Sequence, residues 1–224
     1  MKFSMVVFDM AGTTVEDTDN AVASRLCEAL AAIGLDLPIQ AIDPVMGIPK
    51  PLAIQTLLTQ SRGMIPHESE VSAIHQDFQS RIIEHYQFAP HVREMPGATQ
   101  TFNFLKSQGI RVTLDTGFDR RTLDTIVTRL GWTNLLDDAI ASDQVTHGRP
   151  HPEMIHVLMH RARITDPAKV AKIGDSVSDI EQGIAANCGL IAAIINQRTT
   201  PHFERFPQAV PIATLTDFAA LLTR

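Results

Sequence analysis

Cysteine is scarce in this 224-residue chain: there are two, Cys27 and Cys188, far apart and each inside a helix-like pattern. Buried free thiols are therefore expected rather than a disulfide, which fits a reducing compartment. Basic charge is short as well. Nineteen Lys and Arg against 25 Asp and Glu leave a net charge of −6, so there is no field to hold a polyanion and nucleic acid is not an expected partner. No apolar run approaches the ~20 residues of a membrane span. The opening Lys2-Phe3-Ser4-Met5-Val6-Val7-Phe8 is too short for the apolar segment of a secretion signal. A cytoplasmic protein with no membrane partner is the expectation. Repeats, low-complexity segments and any familiar histidine spacing for a metal are also missing. What remains, 44% hydrophobic and 20% charged residues, is enough to bury a core without a covalent or metal staple.

Met5 to Phe8 is a continuous apolar run, as for a strand buried on both faces, and it ends at Asp9. Asn20 to Ile33 has helical spacing and Gly34 as its stop. Further helices are expected from Pro51 and over Ser69–Tyr86, with no strand between Thr14 and Pro96. After Gly97 the texture alternates. Helices are expected at Thr101–Ser107, Asp119–Leu130, His151–Ala162, Val177–Asn187 and Asp217–Leu222. Strands are expected at Ile110–Leu114, Asp138–Ala141, Val170–Gly174, Leu190–Ile195 and Val210–Ala213. Alternation of this kind predicts an α/β fold with a doubly wound parallel sheet, a Rossmann-like core at 1–15 and 93–224. The helical stretch, 16–92, is expected to be an inserted cap domain.

In such sheets chemistry gathers beyond the carboxyl ends of the strands. Three expected strands end in polar clusters: Asp9-Met10-Ala11-Gly12-Thr13, Asp115-Thr116-Gly117, and Gly174-Asp175-Ser176-Val177-Ser178-Asp179. Asp9 alone could be a turn former. Together with Asp175 and Asp179 it makes an acidic group suited to Mg²⁺, which takes one or two carboxylates, waters and substrate phosphate oxygens. One carboxylate can then attack phosphorus and form an acyl phosphate that water hydrolyses.

In order and type, Asp9, Thr116, Arg149 and the Asp175/Asp179 segment resemble the four motifs of the haloacid dehalogenase superfamily along the whole chain. The resemblance implies a nucleophile at Asp9 and phosphoryl-oxygen contacts from Thr116 and nearby N–H groups. It implies charge neutralisation by Arg149, whose fork suits oxygen pairs. Mg²⁺ would be held by Asp9, the Ala11 carbonyl and Asp175, with Asp179 supporting a metal-bound water or orienting the site. The substrate would be a small phosphorus compound.

Many phosphatases of that superfamily carry an acid two residues after the nucleophile, where this chain has Ala11. Losing such an acid typically costs a factor of ~100 to 10,000. Phe8-Asp9-Met10-Ala11-Gly12-Thr13-Thr14-Val15 looks like the segment of phosphonoacetaldehyde hydrolases and phosphonatase-like relatives. There a cap lysine forms a Schiff base with the substrate aldehyde, and carbon departs as an enamine. Met46-Gly47-Ile48-Pro49-Lys50 resembles the segment around that lysine, and Thr116-Gly117 and Gly148-Arg149-Pro150 follow the same form. Pro51 at a first helical position would put Lys50 at an N-cap, where the helix dipole disfavours its charged form. Ala53, Phe118 and Asp19 depart from the family's His, Tyr and Cys and put the carbonyl substrate in doubt. The resemblance also implies a homodimer formed through the cap. Two rivals stand beside the phosphonatase reading: a phosphatase for a small organic phosphate ester, and a non-catalytic metal- or phosphate-binding regulator.

Overall fold

The computed structural model describes residues 2–17, 19–196 and 200–222. Six strands form one wholly parallel sheet: β1 (Met5–Phe8), β2 (Arg111–Thr116), β3 (Asp138–Ala141), β4 (Val170–Gly174), β5 (Leu190–Ile194) and β6 (Ala209–Ile212). Their spatial order is β3-β2-β1-β4-β5-β6. The chain works outward from β1 to β2 and β3, then crosses back to β4. The boundary between β1 and β4 is thus the switch point, where crossovers diverge and open a crevice.

Strand β1 explains its own position. All four of its side chains are buried, and the two-residue alternation splits them between layers. Val6 and Phe8 join Phe102, Leu105 and Phe218 on one face. Met5 and Val7 join Met154, Ile155 and Leu158 on the other. Helices α4 (Ala98–Ser107) and α8 (Leu215–Leu221) supply the first set, and α6 (Glu153–Ala162) the second. Helices α5 (Arg120–Arg129) and α7 (Val177–Ala185) complete the core. The sheet and its flanking helices agree with the α/β, doubly wound expectation.

Between β1 and α4 lie α1 (Ala21–Ala31), α2 (Lys50–Arg62) and α3 (Glu68–Phe88), with short 3₁₀ turns at Ile39–Ala41 and Asp43–Val45. Gly34, at φ +82°, closes α1 as expected: its N–H bonds the Ala31 carbonyl and that of Leu35 the Leu30 carbonyl. The chain enters and leaves this insertion side by side. Val15 bridges Glu94, Met95 N–H donates to the Thr14 carbonyl at 2.7 Å, and Arg93 Nε donates to Glu16 Oε2 at 2.6 Å. Three expectations need correction. Strand β2 runs two residues further than the pattern suggested, so Thr116 ends the strand instead of following it. Helix α2 starts at Lys50 with Pro49 as its N-cap, one residue ahead of the reading from Pro51. Both cysteines are free but half-buried rather than buried, and burial pushes the Cys188 thiol up to about 12. No helix among the described residues is long and apolar enough to cross a membrane.

Candidate active site

Parallel register gathers the strand-end residues. Phe8 is level with Leu114 on β2 and Ile173 on β4, so Asp9, Thr116 and Asp175 emerge at the same edge of three adjacent strands. Neighbouring strands lie ~4.8 Å apart, which puts these polar groups around one small volume. Asp9, Ala11, Lys50, Thr116, Arg149 and Asp175 all line a single cavity, with Met46, Gly47, Gly117, Phe118 and Ser176. Its volume is about 30 Å³, room for a water molecule or two.

Arg149 is 1% exposed, so it is no surface arginine. Its Nη2 donates to Asp9 Oδ1 at 2.7 Å and its Nη1 to Asp179 Oδ1 at 2.5 Å. Burial pushes the Asp9 carboxyl up to about 6, although Arg149 pulls the other way. Asp179 stands behind the cavity wall, and both of its oxygens are engaged. Oδ1 meets Arg149 and Lys172, and Oδ2 accepts from Ser176 N–H and Oγ. Burial works to raise the Asp179 carboxyl, but Arg149 and Lys172 overcome it and hold the group below its ordinary value. Asp179 is also the third residue of α7, where it forms a capping box with Ser176. One side chain thus fixes the helix start and the guanidinium.

Lys172, fully buried in the middle of β4, was not anticipated. Its Nζ meets Asp115 Oδ1 at 2.5 Å and Asp179 Oδ1 at 2.9 Å. Burial alone would lower its ammonium, but Asp115 and Asp179 more than reverse that and raise it. Its signal was one lysine inside an otherwise apolar run, Val170-Ala171-Lys172-Ile173-Gly174. A charge there needs a buried partner, and Asp115 is the strand-end acid that supplies it. Asp9, Asp115 and Asp179 have carboxylate oxygens within 4.8 Å of one another. With Lys172 between the last two, that trio reads as an ion-pair network more than an open metal cradle.

The metal question turns on Asp9 and Asp175. Gly12, at φ +87°, brings the loop after β1 so close that a Cβ there would lie 2.3 Å from Asp175 Oδ2. Asn196 Nδ2 donates to Asp175 Oδ2 at 3.1 Å. Four buried carboxylates (Asp9, Asp115, Asp175, Asp179) meet three buried basic side chains, Lys50, Arg149 and Lys172. An excess of negative charge remains, which favours a cation beside Asp9 and Asp175. The donor set fits a hard, oxygen-seeking ion.

The insertion closes the site from above. A Cβ on Gly117 would lie 2.8 Å from the Ile48 carbonyl oxygen, and one on Gly148 2.3 Å from Pro49 Cγ. A Cβ on Gly47 would lie 2.3 Å from Ser176 Oγ. Residues 47–49 are thus wedged against three core loops, and Lys50 follows at the first position of α2. It is 4% exposed, not a solvated lysine. Its Nζ lies 3.4 Å from the Ile48 carbonyl oxygen and 5.5 Å from the Phe118 ring centre. Ala53 is buried on the same helix, and Phe118 lines the cavity. Asp19 is elsewhere, bonded to His91 at 2.8 Å.

A family model described as haloacid dehalogenase-like hydrolase matches residues 3–187. Phosphonoacetaldehyde hydrolase of Pseudomonas fluorescens strain SBW25 is 31% identical over 198 residues, covering 84% of this chain and 71% of the relative. The enzyme of that name from Bacteroides fragilis ATCC 25285 is 26% identical over 228 residues, covering 96% and 84%. Among solved structures, a phosphonoacetaldehyde hydrolase like protein from Oleispira antarctica superposes with a TM-score of 0.80 at 17% identity, over 100% of this chain and 92% of that one. CbbY from Rhodobacter sphaeroides, in complex with phosphate, gives 0.81 at 16% identity, over 96% of each chain.

Proposed function

This chain belongs to the haloacid dehalogenase-like hydrolase family, and from that premise we propose that it cleaves the carbon–phosphorus bond of phosphonoacetaldehyde or a related carbonyl phosphonate. The observation that carries the reading is the pairing of Lys50 and Ala11 in the cavity of Asp9. An amine able to condense with a carbonyl is buried beside the nucleophile, and the acid an alkoxide leaving group would need is replaced by a methyl group.

Lys50, as the free amine, adds to the substrate carbonyl, and loss of water with uptake of one proton from solvent gives an iminium. Asp9 attacks phosphorus while Arg149 and Thr116 hold the phosphoryl oxygens. The carbon–phosphorus bond breaks, its electron pair passing into the iminium to give an enamine, so no proton donor is needed at position 11. Water then hydrolyses the aspartyl phosphate to phosphate, and protonation and hydrolysis of the enamine free Lys50 and the aldehyde. Asp9, the Ala11 carbonyl and Asp175 would hold a magnesium ion, with Asp179 supporting them through Arg149 and Ser176. When bound, that ion neutralises developing charge on the phosphoryl oxygens.

A cavity of about 30 Å³ is too small for such a substrate, so residues 16–92 act as a cap that lifts residues 47–50 off the core and reseats them. Among the described residues, six large exposed hydrophobics lie on this insertion: Ile33, Ile39, Leu52, Met64, Ile65 and Phe88. That supports association of two copies through it. The rival reading, a phosphatase for a small phosphate ester, is favoured by Ala53 and Phe118, which put a methyl group and a plain phenyl ring where the phosphonatase resemblance implies an imidazole and a phenol. The test is a paired screen of phosphonoacetaldehyde and other phosphonates against phosphate esters, with magnesium and with chelator. Magnesium-dependent release of phosphate and aldehyde from the phosphonate supports the proposal; turnover of esters alone supports the rival.

A further inference from the structure

Away from the cavity, three metal-binding side chains meet where the insertion joins the core. Asp19 comes from the entering linker, His85 from the last turn of α3 and His91 from the returning linker. Each offers a ligand atom, and these atoms lie within 4.8 Å of one another. We propose that Asp19, His85 and His91 form a binding site for a borderline transition-metal ion of the Zn²⁺ type, and that the ion restrains the insertion.

Two imidazoles and a carboxylate are a donor set Zn²⁺ uses, unlike the all-oxygen group around Asp9. Donors of a tetrahedral zinc site stand ~2.0–2.1 Å from the ion, hence roughly 3.3 Å from each other. Asp19 Oδ2 and His91 Nε2 are already 2.8 Å apart, and the His85 and His91 rings are 5.5 Å apart. Side-chain adjustment is enough to admit the ion. His85 is buried against Tyr86, which holds its ring in place. Arg25 faces the same pocket and opposes a cation, but Glu28 pairs with it and a second arginine, Arg81. With three protein ligands the fourth position is left to water, as in open zinc sites.

The consequence follows from connectivity. Two ligands sit on the two linkers, and the third on the longest helix of the insertion. An ion shared among them fixes both linkers to α3 and resists the rotation that opening requires. Binding rests on the cluster alone; the effect on turnover rests on the function proposed above.

Zinc should be titrated against a chromophoric chelator into the magnesium-saturated protein, its H91A and D19N variants, and H147A as a control, since His147 belongs to a separate exposed group with His151 and Glu153. The expectation is one zinc equivalent in the parent and in H147A. Its affinity should fall by more than ~100-fold in H91A and in D19N, beyond the ~10–100-fold that loss of a supporting partner costs. Equal zinc binding in all four proteins, no binding in the parent, or loss confined to H147A overturns the site. With saturating magnesium, zinc should slow the parent and leave H91A unaffected. Identical slowing of both would overturn the restraint while leaving the binding result standing.

Discussion

As the proposed nucleophile, Asp9 carries two opposed demands: it must be ionised, yet it sits buried. Burial raises its carboxyl to about 6 from an unfolded value of 3.8. The folded state therefore binds more protons between those values, and stability falls as pH rises through that window. Asp9→Asn removes the titration. In chelator, the stability of the Asn variant relative to the parent should rise by up to ~1.4 kcal/mol per pH unit between about pH 4 and 6, then level off. Thermal melts across that range check it; a flat difference contradicts it. The same variant should fold, lose turnover and trap no phosphoenzyme. Lys172 answers to a different rule. Lys172→Met leaves Asp115 buried without its cation and should cost ~3–5 kcal/mol, as for other broken buried pairs. The double variant Lys172→Met/Asp115→Asn should recover much of that loss in urea unfolding. No recovery would mean that Lys172 acts through packing alone.

Segment 47–50 is the element on which the account depends. Gly117 has no positive φ among the glycines, so alanine there tests sterics alone: its Cβ would meet the Ile48 and Gly47 carbonyl oxygens at 2.8 and 2.9 Å. Gly117→Ala should leave the melting temperature nearly unchanged and lower kcat/KM at least ~10-fold, because it pushes the segment carrying Lys50 off the site. Unchanged kcat/KM would show that the observed closure is not the working one. Much of this arrangement was legible in sequence. Apolar runs stopping at Asp9 and Asp175 mark strand ends, and a parallel sheet must bring such ends together. Lys50 was legible through Pro51, off by one helical position. Lys172 was not, because four apolar neighbours in β4 outvoted one charge. Asp179 was read for its carboxylate alone, though Ser176-x-x-Asp179 also spells a helix cap. The Asp19–His85–His91 group had no local signature: 66 residues separate Asp19 from His85, and only the pairing of the two linkers brings them together.

At the scale of the whole molecule, the proposed reaction draws its nucleophile, a buried cation pair and an oxygen-rich metal site from the core, and its amine from the insertion. On that proposal neither half is complete alone, and chemistry and closure are coupled. Ala11→Asp should shift activity toward phosphate esters by restoring a leaving-group acid, visible as a changed ratio of ester to phosphonate turnover. The central claim, that Lys50 takes up the carbonyl carbon while Asp9 takes up phosphorus, is tested most directly by borohydride reduction in the presence of phosphonoacetaldehyde, followed by peptide mass spectrometry. The account predicts irreversible inactivation that requires both reagents, with the reduced adduct on Lys50 and none in Lys50→Arg, which also loses carbon–phosphorus cleavage. Full carbon–phosphorus cleavage by Lys50→Arg, or an active parent enzyme that borohydride and substrate together leave unmodified at Lys50, would contradict it.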